Sequence, residues 1–247
     1  MRAKKWLGQH FLHDASKLKR IANKISEFKL PVIEVGPGSG RLTNEILKLS
    51  IDVKAVEVDQ DLQPTLSLLQ QKYSNLTIIY KDIMKYSWPD EQYIIAGNLP
   101  YNISVPLIMH LAMFVRKPCV FLVQKEVAQR LAAKISTSEY GRPSVIIQSA
   151  YDVILDVIVP ATCFYPKPKV TSQVIICIPK ENLNINWKKL DQLLKHAFST
   201  RRKQIANSIL KKWPVLSEIL QKYEEYEKLR AQDIPVKIFQ SLSNLIT

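Results

Sequence analysis

Cysteine is scarce in this chain of 247 residues: Cys119, Cys163 and Cys177 are all there is, they form no CxxC pair, and the four histidines are scattered. That excludes a disulfide framework, leaves no ligand spacing for structural zinc, and fits a reducing compartment, so a cytoplasmic protein without a metal is expected. Acid is also in short supply. Against 35 Lys and Arg stand 22 Asp and Glu, a net charge of +13 and a pI of about 9.6, which favours a polyanionic partner over a small anionic substrate. No apolar segment follows the basic start Met1-Arg2-Ala3-Lys4-Lys5-Trp6, so no secretory signal is expected. The 24 uncharged residues from Gln92 to Val115 do not read as a membrane span, because Asn98, Pro100, Asn102 and Pro106 interrupt them. Repeats and low-complexity tracts are absent, and the length suits one larger domain with a small appendage.

The positive charge sits at the two ends. Residues 1–24 hold seven basic side chains and one acid, residues 25–180 hold 16 and 14, and residues 181–247 hold 12 and seven. A nearly neutral globule with basic ends suits nucleic acid. The N-terminal arm from Lys4 to Leu12, with Lys4 and Lys5 beside Trp6, His10 and Phe11, reads as a loop lying over a surface. Asp14 or Ser16 then caps a helix with apolar positions Leu18, Ile21, Ala22 and Ile25.

Four strands follow, each ending in a residue that can serve a ligand. Val32-Ile33-Glu34-Val35 runs into Gly36-Pro37-Gly38-Ser39-Gly40 and a helix over 42–49, the opening of a nucleotide-binding βαβ unit without the GxGxxG spacing. Val53 to Asp59, a strand ending in acid, carries Glu57 nineteen residues after Gly38, where an acid accepts ribose hydroxyls. Leu76 to Tyr80 leads to Asp82, which either accepts from an adenine amino group or caps a turn. Tyr93 to Gly97 leads to Asn98-Leu99-Pro100-Tyr101. In a doubly wound sheet these four tips share one crevice, and a ribose-bearing cofactor is expected there.

The fourth tip suggests the chemistry. Pro100 has no N–H and holds Leu99 extended, so the Asn98 side-chain oxygen and a backbone carbonyl could accept both protons of an exocyclic amine while Tyr101 stacks on its ring. Pro118-Cys119 opens an apolar strand over 119–123 and reads as a buried structural cysteine rather than a nucleophile.

Beyond this, a helix is expected over 107–115 after a cap at Ser104, and another over 125–134. Residues 144–159 mix helix and strand signals, and a last strand spans 170–178. Lys167 and Lys169, in the rigid loop Phe164-Tyr165-Pro166-Lys167-Pro168-Lys169, are either phosphate contacts or solvated lysines. A boundary falls near 179–184, giving a domain over 1–180 and a second over 181–247 with helices at 187–198, 201–213, 216–229 and 236–246. Arg201, Arg202 and Lys203 at a helix start are either a phosphate site or a solvated face.

Taken together, Gly8-Gln9-His10-Phe11-Leu12, Glu34 to Gly40, Glu57-Val58-Asp59, Asp82, Gly97 to Ser104, Gln124 to Leu131, Phe164 to Val170 and Phe198 to Lys203 resemble, in order, the motifs of the ribosomal RNA adenine dimethyltransferases, most closely the bacterial small-subunit branch. The family's first motif often has Asn where His10 stands. The resemblance implies an α/β, Rossmann-like class I S-adenosylmethionine-dependent methyltransferase sheet with a small helical C-terminal domain that docks RNA. It implies dimethylation of two adjacent adenosines in the 3′-terminal hairpin loop of 16S ribosomal RNA, with the small subunit as partner, no membrane, a role in ribosome biogenesis and a monomeric enzyme. By the same resemblance, His10, Leu12, Gly36, Gly38, Glu57, Asp82 and Asn98 contact S-adenosylmethionine. Asn98, Leu99, Pro100 and Tyr101 with Phe164 form the catalytic group, Tyr101 and Phe164 stacking on the adenine, and Lys4, Lys5, Lys167, Lys169, Arg201, Arg202 and Lys203 meet RNA. A large-subunit methyltransferase of the macrolide-resistance kind and an assembly factor acting mainly by binding stay open beside it.

Overall fold

The computed structural model describes residues 4, 7–181, 183–199, 203–217, 220, 226 and 228–246. Two compact units divide the chain, one of Met1–Ile108, Lys117–Ala128 and Ile154–Ile178, the other of Met109–Arg116, Gln129–Val153 and Pro179–Thr247. The second therefore gathers two stretches from before residue 180 as well as the C-terminal helices.

The first unit is built on a mixed sheet. Its strands are β2 (Val32–Val35), β3 (Val53–Glu57), β4 (Leu76–Tyr80), β5 (Ile94–Asn98), β6 (Cys119–Gln124), β7 (Tyr151–Val159) and β9 (Ser172–Pro179), while β1 (Phe11–Leu12) and β8 (Phe164–Tyr165) form a separate antiparallel pair. The order is β4-β3-β2-β5-β6-β9-β7. β4, β3, β2, β5 and β6 run parallel, and β9 lies antiparallel to β6 with Cys119 opposite Cys177. Parallel strands must be covered on both faces, which is why β2, β5 and β6 read as apolar runs, broken only by Glu34 in β2 and the terminal Asn98 and Gln124, and are buried almost throughout. Successive strands step one way from β2 to β4 and the other way from β5 to β6, so the crevice of a doubly wound sheet opens between the C-terminal ends of β2 and β5.

Helix α1 (Ala15–Ser26) starts at Asp14, whose side chain accepts from Lys17 N at 2.9 Å. That bond holds the Asp14 carboxyl below the usual carboxylate range. Its inward stripe of Leu18, Ile21, Ala22 and Ile25 is fully buried in the core cluster with Val32, Ile94 and Val120, each large side chain contributing about 1.5–3 kcal/mol.

Residues 144–159 resolve into two elements, helix α6 (Arg142–Ala150) and strand β7. Val145, Ile146 and Ile147 are all buried, which erases a helical stripe, and β7 is an edge strand with Ile154, Leu155 and Ile158 exposed, which erases strand alternation. The second unit holds α7 (Trp187–Ser199), α8 (Ile205–Ile209) and α9 (Val236–Leu245), and Phe198 of α7 lies between the rings of Tyr140 and Phe239 at 6.3 and 5.7 Å. Arg142 Nε bonds Asp191 of α7 at 2.6 Å. Most of the expected 216–229 helix lies outside the described residues.

Gly97 permits the pairing of β5 with β2. A Cβ on it would stand 2.5 Å from the Val35 carbonyl oxygen, well inside the closest approach of a Cβ to a non-bonded atom of another strand. Gly97→Ala should force the two strands apart at the crevice and cost about 3 kcal/mol, seen as a lower urea midpoint with the slope unchanged.

Candidate active site

The tips of β2, β3, β4 and β5 enclose a cavity of about 280 Å³ in the first unit, closed on one side by residues 7–12. Of the residues expected to hold cofactor, His10, Leu12, Gly36, Gly38, Glu57, Asp82 and Asn98 all line it, and so do Leu99, Pro100 and Tyr101. Phe164 does not. It is 3% exposed, pairs with Leu12 in the small sheet and belongs to the core cluster, while its neighbour Tyr165 is 69% exposed. The sequence does not separate these two rings, because strand alternation decides which faces inward.

Each polar side chain has a defined anchor. Glu57 is buried at the end of β3 and accepts from three backbone N–H groups, those of Gly38 (3.1 Å), Val58 (2.9 Å) and Asp59 (2.8 Å). Burial raises its pKa against the pull of those bonds. Asp82 accepts from Met84 N at 2.9 Å as the cap of a short turn, so the turn-cap role is real, and the residue also lines the cavity. Asn98 Nδ2 donates to the His10 carbonyl oxygen at 2.7 Å. Since only the amide nitrogen can face that carbonyl, the orientation of the Asn98 side chain is fixed and its oxygen is left to accept. His10 Nδ1 meets the Pro166 carbonyl oxygen at 2.7 Å, which requires a proton on Nδ1. The Tyr101 ring stacks on His10, centroids 5.3 Å apart, with its hydroxyl 2.9 Å from Ser172 Oγ.

One residue in the cavity escaped sequence reasoning. Glu34, in the middle of β2, is 1% exposed, and its Oε2 has no hydrogen-bond partner. The visible signal is a lone acid inside an otherwise apolar strand. Burial pushes its carboxyl up to about 7, with the charge of Glu57 adding to the shift and the Thr43 hydroxyl opposing it. Gly36, at φ 64°, would point a Cβ into open space. Two buried acids beside a glycine-rich turn suit a ligand with a ribose and positive charge, as S-adenosylmethionine has.

The expected RNA contacts divide. Lys167, Lys169 and Lys203 are exposed. Lys4 is paired with Asp59 and Asp61, each at 2.6 Å. Lys5, Arg201 and Arg202 lie outside the described residues.

Comparison with known proteins agrees with this geometry. A model of the family described as "Ribosomal RNA adenine dimethylase" matches residues 1–247. The chain belongs to the ribosomal RNA adenine dimethylase family. It is 37% identical over 266 residues to the "Ribosomal RNA small subunit methyltransferase A" of Coxiella burnetii strain CbuG_Q212, covering all of this chain and 98% of the relative. To the protein of that name in Bacillus pumilus it is 33% identical, covering 98% and 91%. Among solved structures, a dimethyladenosine transferase from Plasmodium falciparum is similar at a TM-score of 0.80 and 25% identity, over 94% of this chain and 96% of that one. The 23S rRNA methyltransferase ErmE shares the fold at a TM-score of 0.72 and 22% identity, over 96% of this chain and 99% of that one. The doubly wound sheet is thus that of a class I S-adenosylmethionine-dependent methyltransferase.

Glu34 makes the ligand-free family member sensitive to pH. The unfolded chain releases this proton near 4.5 and the folded chain near 7, so on this group's account stability falls as pH rises between those values, by up to about 3 kcal/mol. Glu34→Gln should remove that fall, and urea midpoints from about pH 4 to 8 for the two ligand-free proteins would show their curves converging at the acid end and separating between pH 4.5 and about 7.

Proposed function

We propose that the protein is the S-adenosylmethionine-dependent enzyme that dimethylates N6 of two adjacent adenosines in the 3′-terminal hairpin loop of 16S ribosomal RNA in the small subunit, and so acts in ribosome biogenesis. The observation that carries the chemistry is the Asn98 amide, held by the His10 carbonyl with its oxygen free to accept beside Leu99, Pro100 and Tyr101. The small subunit is supported by the names of the curated relatives, which carry neither the large-subunit nor the purely binding alternative.

S-adenosylmethionine supplies an electrophilic methyl group on a cationic sulfur. An adenine amino group is a poor nucleophile because its lone pair is delocalised into the ring. The carbonyls of Pro100 and Tyr101 are engaged by Ser104 N and Ser104 Oγ, so the Asn98 oxygen and the Leu99 carbonyl are the acceptors for the two N–H groups. Taking those protons as hydrogen bonds favours a pyramidal nitrogen and aims its lone pair at the methyl. The Asn98 oxygen and the Leu99 carbonyl would hold N6 while S-adenosylmethionine, when bound, supplied the methyl group, and the surplus N6 proton would be released to water. For the second transfer one N–H remains to be held. Glu57 would take the ribose hydroxyls, Asp82 the cofactor's adenine amino group, and Tyr101 the face of the target base.

The same reading makes residues 1–180 the catalytic domain and residues 181–247 the RNA-docking domain of a cytoplasmic monomer, with Lys167, Lys169, Arg201, Arg202 and Lys203 on phosphates. Among the described residues no helix is long and apolar enough to cross a membrane.

The test is incubation with labelled S-adenosylmethionine and small subunits lacking the modification, followed by nuclease digestion and mass spectrometry. Dimethyladenosine is expected in the 3′-terminal loop, and transfer to large-subunit RNA alone would overturn the reading. Asn98→Ala should slow transfer by roughly 10²–10³-fold with a much smaller loss of cofactor affinity, and normal turnover would remove Asn98 from the mechanism.

A further inference from the structure

Asp59 does not line the cavity, yet the wall that closes the cavity is fastened to it. Its side chain is 2% exposed, and its two oxygens face two residues of the N-terminal arm: Oδ1 takes Lys4 Nζ at 2.6 Å and Oδ2 takes Gln9 Nε2 at 2.9 Å. Gln9 completes the ring by accepting from the backbone N–H of Lys4 at 2.9 Å. Gln9 itself lines the cavity, and the next residue, His10, is bound on the far side by Asn98 and Pro166. Residues 7–12 are therefore tied down at two places across the crevice. Asp59 also caps the turn that follows β3, accepting from Asp61 N at 3.1 Å, and gives its own N–H to Glu57.

We infer that Asp59 is a positioning residue for cofactor retention: by holding Gln9 and Lys4 it keeps residues 7–12 against the cavity and slows release of S-adenosylmethionine. This rests on the cofactor reading of the cavity. Buried carboxylates ordinarily rise in pKa, and burial does push Asp59 up, but the bonds from Lys4 and Gln9 outweigh it and hold the group below the usual carboxylate range. The anion is thus the resident form, and a charged acceptor gives the strong hydrogen bonds a tether needs. Lys4 is shared with Asp61, 75% exposed, so the pairing is open to salt. The arrangement gives Lys4 a use other than phosphate binding.

The measurement is the dissociation rate of S-adenosylmethionine from the full chain without RNA, by competition with excess S-adenosylhomocysteine, alongside the melting temperature of each ligand-free protein. Lys4→Met keeps the stem and loses the charge. It should speed release by about three- to tenfold with little change in melting temperature, Lys4→Arg should restore slow release, and KM for the cofactor should rise while kcat holds. Asp59→Asn should release at least as fast, and Lys4→Met combined with it should add nothing further, since both remove one interaction. Unchanged release in Lys4→Met and Asp59→Asn, or effects that simply multiply in the double variant, would overturn the tether while leaving the cofactor reading intact. Failure of the unaltered chain to bind S-adenosylmethionine would overturn that reading and the tether with it.

Discussion

The site depends on how closely β5 can lie against β2. With a hydrogen in place of a side chain at Gly97, the Val35 carbonyl fits where a Cβ would be, and the two strands at which the sheet changes direction stay paired, Glu34 opposite Ala96. The part of the cavity wall that the sheet supplies hangs from the ends of these strands and their neighbours. Gly36 to Gly40 leave β2, Glu57 ends β3, Asp82 follows β4, and Asn98 to Tyr101 leave β5. A shift at the β2–β5 pairing would move Asn98 to Tyr101 relative to the glycine turn, so a packing requirement one residue before Asn98 also sets the geometry of the crevice.

The second constraint is that the cavity is not finished by the sheet. Residues 7–12 supply one wall, and as a loop of polar backbone they need partners for their N–H and C=O groups. The carbonyl of His10 finds Asn98, and side chains of the same loop find further anchors, Pro166 on the His10 imidazole and Asp59 on Gln9. Asn98 is therefore oriented by the arm whose position it helps to hold. Site and wall form one hydrogen-bonded assembly, and each is incomplete without the other.

The convergence of four strand ends was legible because buried parallel strands announce themselves as short apolar runs, and the residue after each run falls at the crevice wherever the sheet is doubly wound. Glu57, Asp82 and Asn98 follow from that placement alone. What was not legible depends on contacts distant in sequence. Phe164 against Tyr165 is decided by pairing with β1, 152 residues away for Leu12, and the strand β7 by its being an edge that leaves Ile154, Leu155 and Ile158 exposed. Glu34 looked like part of a motif, and its lack of a partner for Oε2 appears only once Val32, Ile33 and Val35 are buried around it.

Charge shows the same difference between sequence and space. Residues 1–24 carry the largest local excess of base, yet three of those cations meet acids. Lys4 binds Asp59 and Asp61, Arg20 binds Asp156 at 2.6 Å, and Lys24 binds Glu27 at 2.7 Å. All four acids that do this lie in the stretch that looked neutral, so the pairing moves positive potential away from the N-terminus and leaves the middle of the chain with fewer free carboxylates. On the proposed reading, attraction for a phosphate backbone falls to cations without an acid partner among the described residues: Lys167 and Lys169 in the first unit, and in the second Lys203, Lys211 and Lys212, all exposed, the last 4.9 Å above the ring of Trp213. Each phosphate neutralised by such a lysine releases counterions and steepens the salt dependence of binding, whereas the Lys4 pair is already neutralised by the protein and releases few. The same arm residue can thus serve the cofactor site or the RNA, and the Asp59 carboxylate commits it to the cofactor.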